Sequence, residues 1–271
     1  MYSIRVRHLA RPMFAAALAI VLTTACSDAT GSGAHQMSLS FTTKSAASVR
    51  ASTGFNQDIV VGTAGELVLK KIQIVLDRIE LAPSGSTVCA EDDDAKGDDD
   101  RMSGDDDCEE MARDPILVNV PLDDAVRTVV SVPVAAGTFT KLEARVDPAS
   151  AADVSALGAP ADMTGKSIRV EGKFKGTPFV FTSPLSTRLE FEFDPPLVID
   201  ASTRNATVSI DVTKWFIASD GSAIDPATAN AGGPNSFLVA GNIRNSFDAF
   251  EDDDMHGDND HEGEGGSSGH H

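Results

Sequence analysis

Between Gln36 and Met255 the sequence has no histidine; all six lie toward the two ends, at His8, His35, His256, His261, His270 and His271. A Ser–His or Cys–His nucleophile therefore finds no base in the body of the chain. GxSxG, HExxH and glycine-rich phosphate-loop motifs are missing as well. Aromatic platforms are scarce, since the single Tyr is Tyr2 and the single Trp is Trp215. With acid in excess and no basic stripe, nucleic acid is excluded as a partner.

Long apolar runs are also lacking. The longest near the N-terminus, 13–22, falls short of the roughly 20 residues that a membrane span needs. It follows Arg5, Arg7 and Arg11 and ends in small residues before Cys26, the pattern of a secretory signal over residues 1–25. The segment Leu22-Thr23-Thr24-Ala25-Cys26 resembles a bacterial lipoprotein lipobox, although Thr23 stands where that pattern usually has Leu, so a plain secretory signal stays open. The resemblance implies lipid on Cys26 as the mature N-terminus and, with Ser27 rather than Asp next, passage to the outer membrane. Residues 26–36 are small and polar, as a flexible tether is.

Acid is what the chain has in plenty, and it is concentrated in two places. The eighteen residues between Cys89 and Cys108 hold ten carboxylates against Lys96 and Arg101, and 248–271 holds nine against no Lys or Arg. These stretches carry seventeen of the nineteen formal negative charges, so the body is close to neutral. With Cys26 lipidated, Cys89 and Cys108 are left as an even pair in an oxidising compartment, which predicts a disulfide closing the acidic insertion 89–108. In the chain-entropy account a loop of about 20 residues gains roughly 3 kcal/mol from such a bridge.

The pattern DDDxxGDxD occurs twice, at 92–100 in the loop and at 252–260 in the tail. Calcium loops place oxygen ligands at alternate positions around a sharp glycine turn. That scheme nominates Asp92, Asp94, Asp98 and Asp100 in the loop, and Asp252, Asp254, Asp258 and Asp260 in the tail. Neither copy is an EF-hand: the fifth place is Lys96 or His256 and the twelfth is Ser103 or Gly263. Solvated disorder is the competing reading of both acidic runs, and 248–271 is expected to be a disordered tail.

Between these features the residues alternate with the period of β-strands. Met37, Leu39 and Phe41 share one face of a first strand. The run 67–81 fits both a helical stripe and a long strand with a bulge near Val75 and Leu76, and its strand-like neighbours favour the strand. Strands at 126–134 and 138–146 around Ala135-Ala136-Gly137 read as a hairpin, as do 167–174 and 177–182 around Lys175-Gly176. In 187–193, Leu189, Phe191 and Phe193 face one way and Glu190 and Glu192 the other, until Asp194-Pro195-Pro196 breaks the strand. Those two glutamates are the only carboxylate pair nominated for acid–base work, against the plainer reading of a solvated sheet face. Trp215 reads as an anchor at the sheet edge rather than a ligand platform. A last short strand is expected over 237–240, with 243–250 as an amphipathic closure.

Nine or ten strands without a long helix predict an all-β fold, an antiparallel β-sandwich over 37–247, built as one large or two small domains. The run 67–81, the segment 118–146 with its Ala136-Gly137-Thr138-Phe139-Thr140-Lys141-Leu142 turn, and 211–215 resemble a family of uncharacterised bacterial lipoprotein domains. That resemblance implies an Ig-like or transthyretin-like sandwich and supplies no catalytic residues. The expected function is a non-enzymatic, lipid-anchored envelope protein that binds a protein or glycan partner, with calcium ordering its acidic loops. A purely structural surface lipoprotein and a carboxylate-dependent glycan enzyme are the alternatives.

Overall fold

The computed structural model describes residues 35–43, 58–61, 66–85, 108–200 and 204–257. The chain begins with β1 (His35–Thr43), β2 (Ile59–Val61) and the 17-residue β3 (Leu67–Pro83). After the acidic insertion come β4 (Glu109–Ala112), β5 (Ile116–Asn119), β6 (Arg127–Val134) and β7 (Gly137–Val146). Helix α1 (Ala151–Leu157) precedes β8 (Ile168–Phe174), β9 (Thr177–Ser183), β10 (Thr187–Ile199) and β11 (Arg204–Ile210). Helix α2 (Ser236–Arg244) and β12 (Phe247–Glu251) close the order.

The strands form two sheets around one core. A four-stranded sheet runs β12-β11-β1-β6, and an eight-stranded sheet runs β10-β7-β3-β8-β9 with β2, β4 and β5 also on β3. Met37, Leu39 and Phe41 from the first sheet meet Leu69, Ile72, Ile74 and Leu142 from the second in one continuous cluster, so the two sheets belong to one domain. The long run 67–81 is a strand, and it is the spine of the larger sheet. Its register shifts fall between Leu69 and Lys71 and again beyond Asp77, where Arg78 takes a positive φ of 47°, rather than at Val75 and Leu76.

Several expectations are corrected. The segments 126–134 and 138–146 are not a hairpin: β6 pairs with β1 in the small sheet, while β7 pairs with β3 and β10 in the large one. The chain changes sheet at Ala135-Ala136, and Val134 and Phe139 reach the core from opposite sides of it. Alternation tells which face of a strand is apolar but not which sheet it joins. The sandwich is also not wholly antiparallel, because β1 and β11 pair in parallel from Met37↔Arg204 to Thr43↔Ile210.

The segment 237–240 is helical rather than extended. Val239 and Ile243, four residues apart, are its buried pair, whereas Phe237 is 91% exposed. A strand would place Phe237 and Val239 on the same face. Asp194-Pro195-Pro196 interrupts the pairing of β10 with β7 but does not end the strand, which resumes at Leu197↔Phe139. The expected tail begins later than 248, since β12 pairs with β11 through Glu251↔Ala206.

Other readings hold. The β8–β9 hairpin turns at Lys175 and Gly176, both with positive φ, as a two-residue turn of the favoured hand requires. Helix α1, which the strand pattern does not announce, has a full capping box between Ser150 and Asp153 and stops at Gly158 in the left-handed conformation.

Candidate functional site

The two glutamates nominated on β10 sit where the sequence places them. Leu189, Phe191 and Phe193 turn into the core and Glu190 and Glu192 turn out. What the sequence does not announce is the neighbour strand. Across β3, β7 and β10 the register aligns Glu80, Glu143 and Glu190 in one row, with Asp77, Arg145 and Arg188 on one side of it and Ala82, Lys141 and Glu192 on the other. Like charges directly opposite one another destabilise a sheet. Cations on the diagonals offset this: Arg188 pairs with Glu143 and, through Nε, with Glu190 at 3.3 Å, and Lys141 lies 3.8 Å from both Glu143 and Glu190.

Glu143 is the residue that sequence reasoning missed. It is 3% exposed, and its Oε1 is buried without a hydrogen bond. Its local pattern, Lys141-Leu142-Glu143-Ala144-Arg145, is that of any half-solvated strand. It is buried because β7 is flanked on both sides, while Glu190 on the edge strand β10 stays exposed.

Beside this charged field lies a groove of about 340 Å³. One wall is residues 188–192 of β10, the edge of the large sheet, and the other is 247–249 of β12, the edge of the small one. Arg244, at the end of α2, completes it.

The tail repeat is only half in view. Asp258 and Asp260 lie outside the described residues, as do Asp92, Asp94, Asp98 and Asp100 in the loop. Asp252 is fully buried and its oxygens are engaged by the protein itself: the Thr207 hydroxyl donates at 2.7 Å, the His256 N–H at 2.9 Å and the Gly257 N–H at 3.0 Å. Burial pushes its carboxyl above the ordinary value, against the pull of those donors. Asp254, exposed, is held low by the His256 ring that bonds it at 2.6 Å. Among the described residues no group of three or more His, Cys, Asp or Glu side chains is placed to hold a metal ion.

These contacts fold residues 252–257 back over the outer face of the small sheet. A Cβ on Gly257 would lie 3.2 Å from Val126 and 3.7 Å from Thr42. The polar residues of that face are consequently buried and linked: Ser40 donates to Asn205, Asn205 to Thr207, and Thr207 to Asp252.

Trp215 is wholly buried, and its Nε1 donates to Ser246 Oγ at 2.7 Å, so it is an anchor. Cys108 stands just before β4 and is not a free thiol. Cys26 and Cys89 lie outside the described residues, as do the expected signal segment 1–25 and the expected tether 26–36 except for His35 and Gln36, which belong to β1. No helix among the described residues is long and apolar enough to cross a membrane.

No family model matches the chain and no curated protein does. Among solved structures, MbnP from Methylosinus trichosporium is similar at 12% identity with a TM-score of 0.41, over 75% of this chain and 87% of that one.

Proposed function

We propose that the chain is an exported β-sandwich, anchored to the bacterial envelope through lipid on Cys26, that binds a ligand or partner without transforming it. The observation that carries this reading is the state of Glu190. Glu190, one of the two exposed carboxylates nominated for acid–base work, is tied to Arg188 at 3.3 Å and Lys141 at 3.8 Å, beside an open groove. Ion pairs of this kind hold the side chain in one place, as part of a pre-organised wall for a ligand. The engaged Cys108 supports a closed acidic insertion, with Cys89 as the partner we propose.

The test is turnover. Purified mature protein is incubated with a panel of glycans and esters. Hydrolysis that disappears in Glu190→Gln or Glu192→Gln would replace the binding reading with a carboxylate enzyme. Mass spectrometry of the mature N-terminus checks the anchor separately: an unmodified cysteine, or cleavage at another residue, removes it.

A further inference from the structure

We propose that the groove between β10 and β12 binds a small zwitterion, an amino acid or a short peptide with both ends free. This rests on the non-catalytic reading above and gives it a place and a chemistry. No strand pairing joins β10 to β12, although they are the facing edges of the two sheets, so the corner between them is left open. Its volume of about 340 Å³ is at the small end of ligand sites, suited to an amino acid or a peptide of two or three small residues and not to a folded partner.

Besides Asp248, the charges on its walls fall into two sets. Arg188 and Glu190 are committed to each other, and Arg188 is held further by the buried Glu143 beneath it. That wall is pre-organised. Arg244 and Glu192 have no ion-pair partner among the described residues, although both line the same groove. One is a cation at the end of a helix, the other a carboxylate on a strand. A ligand with a carboxylate and an ammonium answers both at once, and the charge-assisted hydrogen bonds it forms are the strong kind. A simple anion meets Glu190, Glu192 and Asp248, whereas a neutral sugar leaves both open charges unused. Phe247, half-buried in the far wall, offers an apolar surface to a ligand side chain.

The experiment is calorimetric titration of the mature protein with three probes: free trialanine, its N-acetylated form and its C-amidated form. Free trialanine is expected to bind saturably, and capping either end to weaken it at least tenfold. In Arg244→Gln the free and amidated peptides become equal. In Glu192→Gln the free and acetylated peptides become equal. Both residues are exposed, and retained Trp215 fluorescence confirms that the variants fold. Equal affinity for all three probes, unchanged discrimination in both variants, or no binding of any probe overturns the proposal. A protein that neither binds trialanine nor hydrolyses glycans sinks the groove assignment and leaves the envelope-binding reading standing. Hydrolysis lost with Glu190 or Glu192 sinks the reading on which the assignment rests.

Discussion

The Thr207 hydroxyl donates to the Asp252 carboxylate at 2.7 Å, in a place where neither side chain meets solvent. Through this bond the first aspartates of the tail repeat are spent on attachment. Asp253 adds to it by accepting from the Asn205 N–H at 2.9 Å and pairing with Arg204. Asp252→Ala strips an acceptor from three donors at once, so a loss of about 2 kcal/mol is expected in chemical denaturation. Hydrogen exchange at His256 and Gly257 should rise with it; unchanged protection there would contradict the attachment.

Asp252 also sets a pH dependence. Burial raises its folded-state pKa above the ordinary 3.8. The folded state then holds the proton more tightly than the unfolded one, so the contribution is fully present below about pH 4 and is lost as pH rises through the raised value. Asp252→Asn does not titrate. The stability of wild type relative to this variant should therefore fall from about pH 4 upward and then level off. A difference that grows with pH would reverse the sign and refute the account.

Arg188 and Glu143 form the ion pair under the groove wall, with Glu143 only 3% exposed. Arg188→Met leaves that carboxylate buried with Lys141, 3.8 Å away, as its nearest cation. The expected cost is about 3 kcal/mol. Replacing both, as Glu143→Leu with Arg188→Met, should recover most of it, because the desolvation penalty disappears with the charge. Denaturation midpoints decide the matter: a double variant as weak as the single one would show that the pair is more than mutual compensation.

Much of the body was legible because alternation is local. Leu189, Phe191 and Phe193 declare the buried face of β10, and Lys175-Gly176 declares the β8–β9 turn, from residues that touch one another in sequence. Depth and partnership are not local. Glu143 and Glu190 carry the same kind of pattern, and only the count of flanking strands makes one buried and the other exposed. The crossing at Ala135-Ala136 likewise depends on which sheet receives each strand. Asp252 reads as one residue of the run Asp252-Asp253-Asp254 until Thr207, distant in sequence, supplies its partner.

Gly172 shows the same dependence in a form that a single methyl group tests. It pairs with Leu69 beside the register shift in β3, and a Cβ there would stand 2.2 Å from the Val68 carbonyl oxygen and 2.8 Å from the Phe179 ring. The ring belongs to a side chain and can move. The carbonyl belongs to the spine strand and cannot move without breaking the β3–β8 pairing. Gly172→Ala is expected to cost about 2 kcal/mol or more, as overpacking does when the backbone must shift. Adding Phe179→Ala removes only the ring contact, so the double variant should be no more stable than Gly172→Ala alone. Recovery toward wild type in that double variant, read by denaturant unfolding, would place the constraint in the ring and not in the strand.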